Sequence, residues 1–91
     1  MSSGWQIEIT QAAKKQLKKL DKQVAKHILN YLNNHIALCS NPEELAKPLK
    51  GNWANLWRYR VGHYRIICDI QKTTITIVVL RIAHRKNIYK K

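Results

Sequence analysis

A chain of 91 residues is long enough for one hydrophobic core and too short for two, so a single domain over residues 1–91 is expected. Apolar residues make up 45%, which excludes a disordered chain, and 17 Lys and Arg against 5 Asp and Glu leave a net charge of +12. Such a surplus points to an anionic partner: nucleic acid first, an acidic protein second, a membrane surface third. No apolar run reaches the roughly 18–20 residues that span a bilayer, and the polar start Met1-Ser2-Ser3-Gly4 is not a signal peptide. A cytoplasmic protein with no membrane partner is expected. Cys39 and Cys68 have no Cys-x-x-Cys spacing, so they imply neither a zinc site nor a disulfide framework and are expected to be reduced and structural.

In chain order, Trp5-Gln6-Ile7-Glu8-Ile9 alternates with period two and predicts an opening strand whose Trp5, Ile7 and Ile9 face inward. Thr10 is placed to cap a helix over Gln11 to Leu20, with Ala13, Leu17 and Leu20 on its apolar side and Lys14, Lys15, Lys18 and Lys19 on the other. Asp21 is a second N-cap. After it, Val24, Ile28, Tyr31, Leu32, His35 and Leu38 mark one stripe of a longer helix ending near Cys39. His27 and His35 lack a partner at metal-ligand spacing and are expected at the core or its boundary. Pro42 can start a helical turn through Leu45 and Ala46, Pro48 breaks any continuation, and Gly51-Asn52 supplies turn chemistry.

The stretch from Leu56 to Ile67 predicts two strands folded about a turn. Alternation puts Arg58 and Arg60 on one face and Trp57 and Tyr59 on the other. A two-residue turn at Val61-Gly62 would set Arg60 opposite His63 and Arg58 opposite Arg65. Like charges facing each other destabilise a sheet, so this face needs solvent or an anion upon it. The second strand is expected to run to Ile70, with a turn at Gln71-Lys72-Thr73. Thr74 to Ile82 is β-branched and apolar, as a central strand buried on both faces would be. The basic tail from Ala83 to Lys91 follows. The predicted fold is α+β: an N-terminal strand, a two-helix hairpin, then antiparallel strands, forming a four-stranded sheet with helices on one face.

The sequence has no glycine-rich phosphate loop, no paired carboxylates and no nucleophile–base set, and its five acidic residues argue against carboxylate-held divalent metals, so neither a metal site nor a cofactor is expected. What it offers is cationic. Arg58, Arg60 and Arg65, joined by Arg81, His84, Arg85 and Tyr89 from the last strand and tail, can form a pocket for one phosphodiester. Tyr89 can stack on a base, and His84 is the residue best able to exchange protons near neutral pH. Lys47, Lys50, His63, Arg81 and Lys86 extend the surface for RNA. Plain nucleic-acid binding, cleavage of RNA through its own 2′-hydroxyl, and binding of a protein through a basic surface all fit this inventory.

Pro48-Leu49-Lys50-Gly51, the run from Leu56 to Ile67, Val79 to Arg85, and Ile88-Tyr89 together resemble the RelE-type toxins of the RelE/ParE superfamily. The resemblance covers nearly the whole chain. It implies the toxin of a type II toxin–antitoxin system, an endoribonuclease that cuts messenger RNA in the ribosomal A site, with contacts to 16S rRNA, and a RelB-like antitoxin that covers the basic surface. The toxin alone would be a monomer that assembles further with antitoxin. Arg58 and Arg60 fall at the family's basic positions before the glycine turn, Arg65 at its arginine after the turn, and Arg85 and Tyr89 at its C-terminal basic residue and tyrosine. Some members have lysines where this chain has Arg58 and Arg60, and arginine is a poor general base. That departure moves the proton-accepting role to His84 or His63. A ParE-like gyrase inhibitor, sharing the fold without needing the arginine pocket, is the alternative.

Overall fold

The computed structural model describes residues 4–86. Strand β1 (Gln6–Ile9) is followed by helix α1 (Gln11–Lys18) and helix α2 (Lys22–Asn30). Two short 3₁₀ turns (Pro42–Leu45 and Gly51–Trp53) flank a two-residue strand β2 (Lys47–Pro48). Strands β3 (Trp57–Val61), β4 (Tyr64–Gln71) and β5 (Thr76–His84) complete a sheet of order β1-β5-β4-β3-β2. The α+β class is as predicted, but the sheet has five strands, because Lys47–Pro48 pairs antiparallel with Arg58 and Trp57. A proline is tolerated there because an edge strand can spare its missing N–H.

The two helices cover one face of the sheet. Ala13, Leu17, Ile28, Leu32 and Ile36 meet Tyr59, Val61, Ile66, Cys68, Ile77, Val79 and Ile82, with Trp5, Ile7 and Ile9 packed at the side as alternation predicted. Thr10 binds the layers together: its Oγ1 accepts from the Ala13 N–H (3.2 Å), capping α1, and donates to the Val79 carbonyl (2.9 Å). Asp21 sits at the N-cap of α2 without a side-chain capping bond.

Beyond Asn30 the helix widens into a π segment, Tyr31–Ile36, closed by the Ala37 N–H donating five residues back to Leu32 (2.9 Å). The wider turn advances the inward stripe by one residue. Ile36 and Ala37 are buried, while His35 is exposed and Leu38 is 65% exposed, against the 3.6-residue expectation. His27 is likewise exposed.

The last strand also departs from its prediction. It starts at Thr76 because Ile75 takes a left-handed turn conformation (φ 51°). It lies between β1 and β4, and beyond the buried Thr76 only its helix side is fully buried. Its pairing with β4 jumps from Ile67↔Arg81 to Cys68↔Val79, leaving Leu80 as an extra residue in a bulge. That bulge flips the faces of everything after it. Ile77 and Val79 point at the helices before the bulge, and Ile82 does so after it.

Candidate functional site

The hairpin turn is two residues long, as predicted, but is centred on Gly62 and His63: Val61 pairs with Tyr64, Arg60 with Arg65, and Arg58 with Ile67. Gly62 occupies the first central position with φ 59°, a conformation that glycine adopts without steric cost. Sliding a two-residue turn by one position moves the register by two residues. The partners therefore change while the faces do not, and Arg58, Arg60 and Arg65 still share one face. It is the face without helices.

On that open face the cross-strand pairings build two rows. One runs Lys47, Arg58, Ile67, Arg81 across four strands; the next, nearer the turn, runs Arg60, Arg65, Ala83. Arg81 belongs to the first row only because of the Leu80 bulge; strict alternation with Ile77 and Val79 would have aimed it at the helices. Ile67 is fully buried although no helix lies on its side, and its cross-strand neighbours are the long stems of Arg58 and Arg81. The Arg81 guanidinium lies over the Trp53 ring, 5.4 Å from its centroid. Trp53 is thus part of this face, a position the sequence alone could not bring near Arg81.

Two carboxylates share this face at a distance from the turn-end row. Glu8 and Asp69 also point to the open side, but both pair with Val78, so they form a row at the other end of the sheet. Asp69 is four residues from Arg65 along β4, roughly 13 Å, and accepts from the Gln71 side chain (3.1 Å). Glu43 is paired with Lys72 at 2.9 Å. Arg60 and Arg65 stand directly opposite each other, and the Arg65 guanidinium donates to the Tyr64 carbonyl (3.4 Å); like charges so placed favour an anion beside them.

The structure separates His84 from these arginines. His84 is three residues from Arg81 in one strand, and an odd separation sends the two to opposite faces; the bulge gives the open face to Arg81. His84 pairs with Tyr64 on the helix side, where its ring stacks on His63 (centroids 6.0 Å, 20°) and meets the edge of Tyr64 (5.4 Å). Its Nδ1 accepts from the Lys86 N–H at 3.2 Å. His63 and Tyr64 line a groove of about 420 Å³ with Asp21, Val24 and His27 of the α2 end, and no arginine enters it. Arg85 follows at the turn end, exposed, its N–H donating to the His63 carbonyl (2.7 Å). Lys47, Lys50 and Lys86 are exposed, and Tyr89 lies outside the described residues.

The hairpin is held from behind. Tyr59, fully buried between the arginines in sequence, donates its hydroxyl to the Pro42 carbonyl at 2.7 Å, and burial pushes its phenol well above the usual range. Burial does the same to the Cys68 thiol. Among the described residues, no cluster of three or more His, Cys, Asp and Glu is placed to hold a metal ion, and no helix is long and apolar enough to cross a membrane.

The chain and its fold have known counterparts. Over residues 7–89 the chain matches the family described as the ParE toxin of type II toxin–antitoxin system, parDE. It is 39% identical over 74 residues to toxin RelE3 of Methanocaldococcus jannaschii, covering 75% of this chain and 81% of that one. To toxin RelG of Mycobacterium tuberculosis it is 27% identical over 85 residues, 93% and 95% of the two chains. A chain of the M. tuberculosis toxin–antitoxin complex RelBE2 superposes with a TM-score of 0.83 at 25% identity, covering 91% of this chain and all (100%) of that one. A chain of the RelB–RelE antitoxin–toxin complex from Methanococcus jannaschii gives 0.65 at 31% identity, over 91% and 95%. The chain belongs to the RelE/ParE superfamily of type II toxin–antitoxin toxins, as a RelE-type member.

Proposed function

We propose that this toxin is an endoribonuclease that cuts messenger RNA in the ribosomal A site, using the 2′-hydroxyl of the substrate as nucleophile. The observation that carries this reading is the pair of cationic rows on the open face, with Arg60 set directly against Arg65. A phosphodiester seated between them relieves their repulsion. As the 2′-oxygen attacks phosphorus and the 5′-oxygen leaves, negative charge grows on the phosphate oxygens, where fixed guanidinium forks stabilise it. Arg58 and Arg81 flank the site one row deeper, and Arg85 joins from the turn end. Tyr89 is the base-stacking residue the resemblance implies. Because His84 faces the other side of the sheet, the arginine contribution is electrostatic, and proton transfer is left to groups outside the arginine rows.

The solved toxin–antitoxin complexes among the relatives support a RelB-like antitoxin as partner, and we propose that it covers this cationic face. The test is to map the 5′ ends of messages after induced expression, with and without Arg65→Ala. Cuts within translated frames that vanish in the variant support the proposal. Growth arrest without such cuts, surviving Arg65→Ala in a folded protein, overturns it in favour of a ParE-like action on DNA gyrase.

A further inference from the structure

The loop from Leu49 to Leu56, which joins β2 to β3, carries a tryptophan that the hydrophobic core does not use. Its ends are tied by the Leu49 N–H, which donates to the Leu56 carbonyl (3.0 Å). Within it the N–H groups of Trp53, Ala54 and Leu56 donate to the carbonyls of Lys50, Gly51 and Trp53 (3.2, 3.1 and 3.1 Å). Gly51 (φ 66°) and Asn55 (φ 73°) take the left-handed conformation that this tight path requires, and glycine and asparagine adopt it at least cost. The loop thus holds its shape before anything binds to it.

Trp53 is half-buried, and neither the core cluster nor the apolar residues packed against that cluster include it. The loop meets β3 at the end away from the turn and brings the indole to Arg81 on β5, whose guanidinium lies 5.4 Å from the ring centroid. Holding Arg81 accounts for part of the ring. The rest is apolar surface left open on a side of the sheet lined by Arg58, Arg60, Arg65 and Arg81. Arg58 and Arg60 are two residues apart in β3, so the row of Arg58 and Arg81 lies roughly 7 Å from the row of Arg60 and Arg65. One nucleotide of an extended strand spans that distance. A phosphate between Arg60 and Arg65 therefore sets the adjoining nucleotide at the row where Arg81 and Trp53 stand.

We propose that Trp53, backed by Arg81, is a stacking subsite for an unpaired base of the RNA strand, that of a nucleotide next to the phosphate held by Arg60 and Arg65. The inference rests on reading the arginine face as an RNA site, and adds to it a residue that grips a base instead of a phosphate. Two features choose a base over a protein side chain. Every base has a π face for an indole to cover, and Lys47, Arg58 and Arg81 in the same row supply cations for the phosphates on either side of it. A protein segment finds its apolar anchor elsewhere, in the groove of about 420 Å³ between α2 and the hairpin turn, lined by Val24, Ile28, Val61 and Tyr64 on the other side of the sheet.

The test compares binding of the whole chain to two uncleavable strands of equal length and charge: a hexamer of 2′-O-methyl adenylate, and its counterpart in which every nucleotide lacks its base. The unaltered chain is expected to favour the adenylate strand. Trp53→Leu should reduce that preference roughly tenfold while binding the abasic strand as before. Trp53→Phe retains a π face and should keep most of the preference. A merely structural role for Trp53 would weaken both strands alike, and that result overturns the inference. Equal binding of the two strands by the unaltered chain, or a preference that Trp53→Leu leaves unchanged, also overturns it. Loss of a co-expressed antitoxin from Trp53→Leu, with the preference intact, overturns it in favour of a protein contact. Neither strand can be cut, so the two readings fail separately: absent message cuts would remove the nuclease and leave this subsite, whereas an unchanged preference would remove the subsite and leave the nuclease.

Discussion

The two sides of this small domain are both strongly basic, yet they are built differently. On the open sheet face the cations are mainly arginines, fixed in register by strand pairing, with stems packed over Ile67 and one guanidinium laid on Trp53. On the helix layer they are lysines alone, exposed and without ion pairs among the described residues, on elements whose inner side does the packing. Rigid planar groups aimed from two strands at one place suit recognition of a single phosphate; flexible point charges spread over two helices suit a long polyanion. Net charge alone would have treated all 17 Lys and Arg residues as one patch.

That contrast breaks most visibly through the arginines. Arg65→Ala or Arg60→Ala should lower the rate of message cleavage by roughly a hundredfold or more, in line with removing one transition-state donor, with the fold unchanged by circular dichroism. The supports of the two sides come next. Tyr59→Phe leaves the buried Pro42 carbonyl without its donor behind the arginine hairpin and should cost roughly 1–3 kcal/mol, read as a lower Tm. Thr10→Ala removes the α1 cap together with the tie to the Val79 carbonyl behind the lysine layer and should cost about 1–2 kcal/mol in denaturant unfolding. Gly62→Ala meets no atom within 4 Å, so its cost is conformational only, about 1 kcal/mol from the positive φ.

Silent at neutral pH is a last effect, a dependence on alkali. Burial raises the Cys68 thiol above its ordinary 9.0 and the Tyr59 phenol above its ordinary 10.0, so the folded state favours their neutral forms. That contribution is complete below the ordinary values and is lost as pH rises through the folded ones. Stability should therefore decline in alkali from about pH 9 upward, and native protein should expose one reactive thiol, Cys39, with Cys68 reacting only on unfolding.

Local rules were legible where local forces decide. The Thr10 cap, the inward Trp5, Ile7 and Ile9, the alternation of Arg58 and Arg60 against Tyr59, and the turn starting at Pro42 all follow from spacing and residue type. Three features escaped because they are choices of register rather than of element. The π segment shifts Ile36 into the core and His35 out of it. The turn settles on Gly62-His63 because the glycine takes the positive φ. The Leu80 bulge, invisible in a uniformly apolar run, decides that Arg81 and not His84 joins the arginine face. The arginines of the open face were thus readable from sequence, and the side of the sheet on which His84 falls was not.

The proposed role of the arginine face is tested most directly by kcat and KM for message cleavage on programmed ribosomes, measured side by side for the unaltered chain and Arg65→Ala. Arg65→Ala should lose kcat with little change in KM. If Arg65→Ala keeps the kcat of the unaltered chain, the arginine face is not where the message is cut.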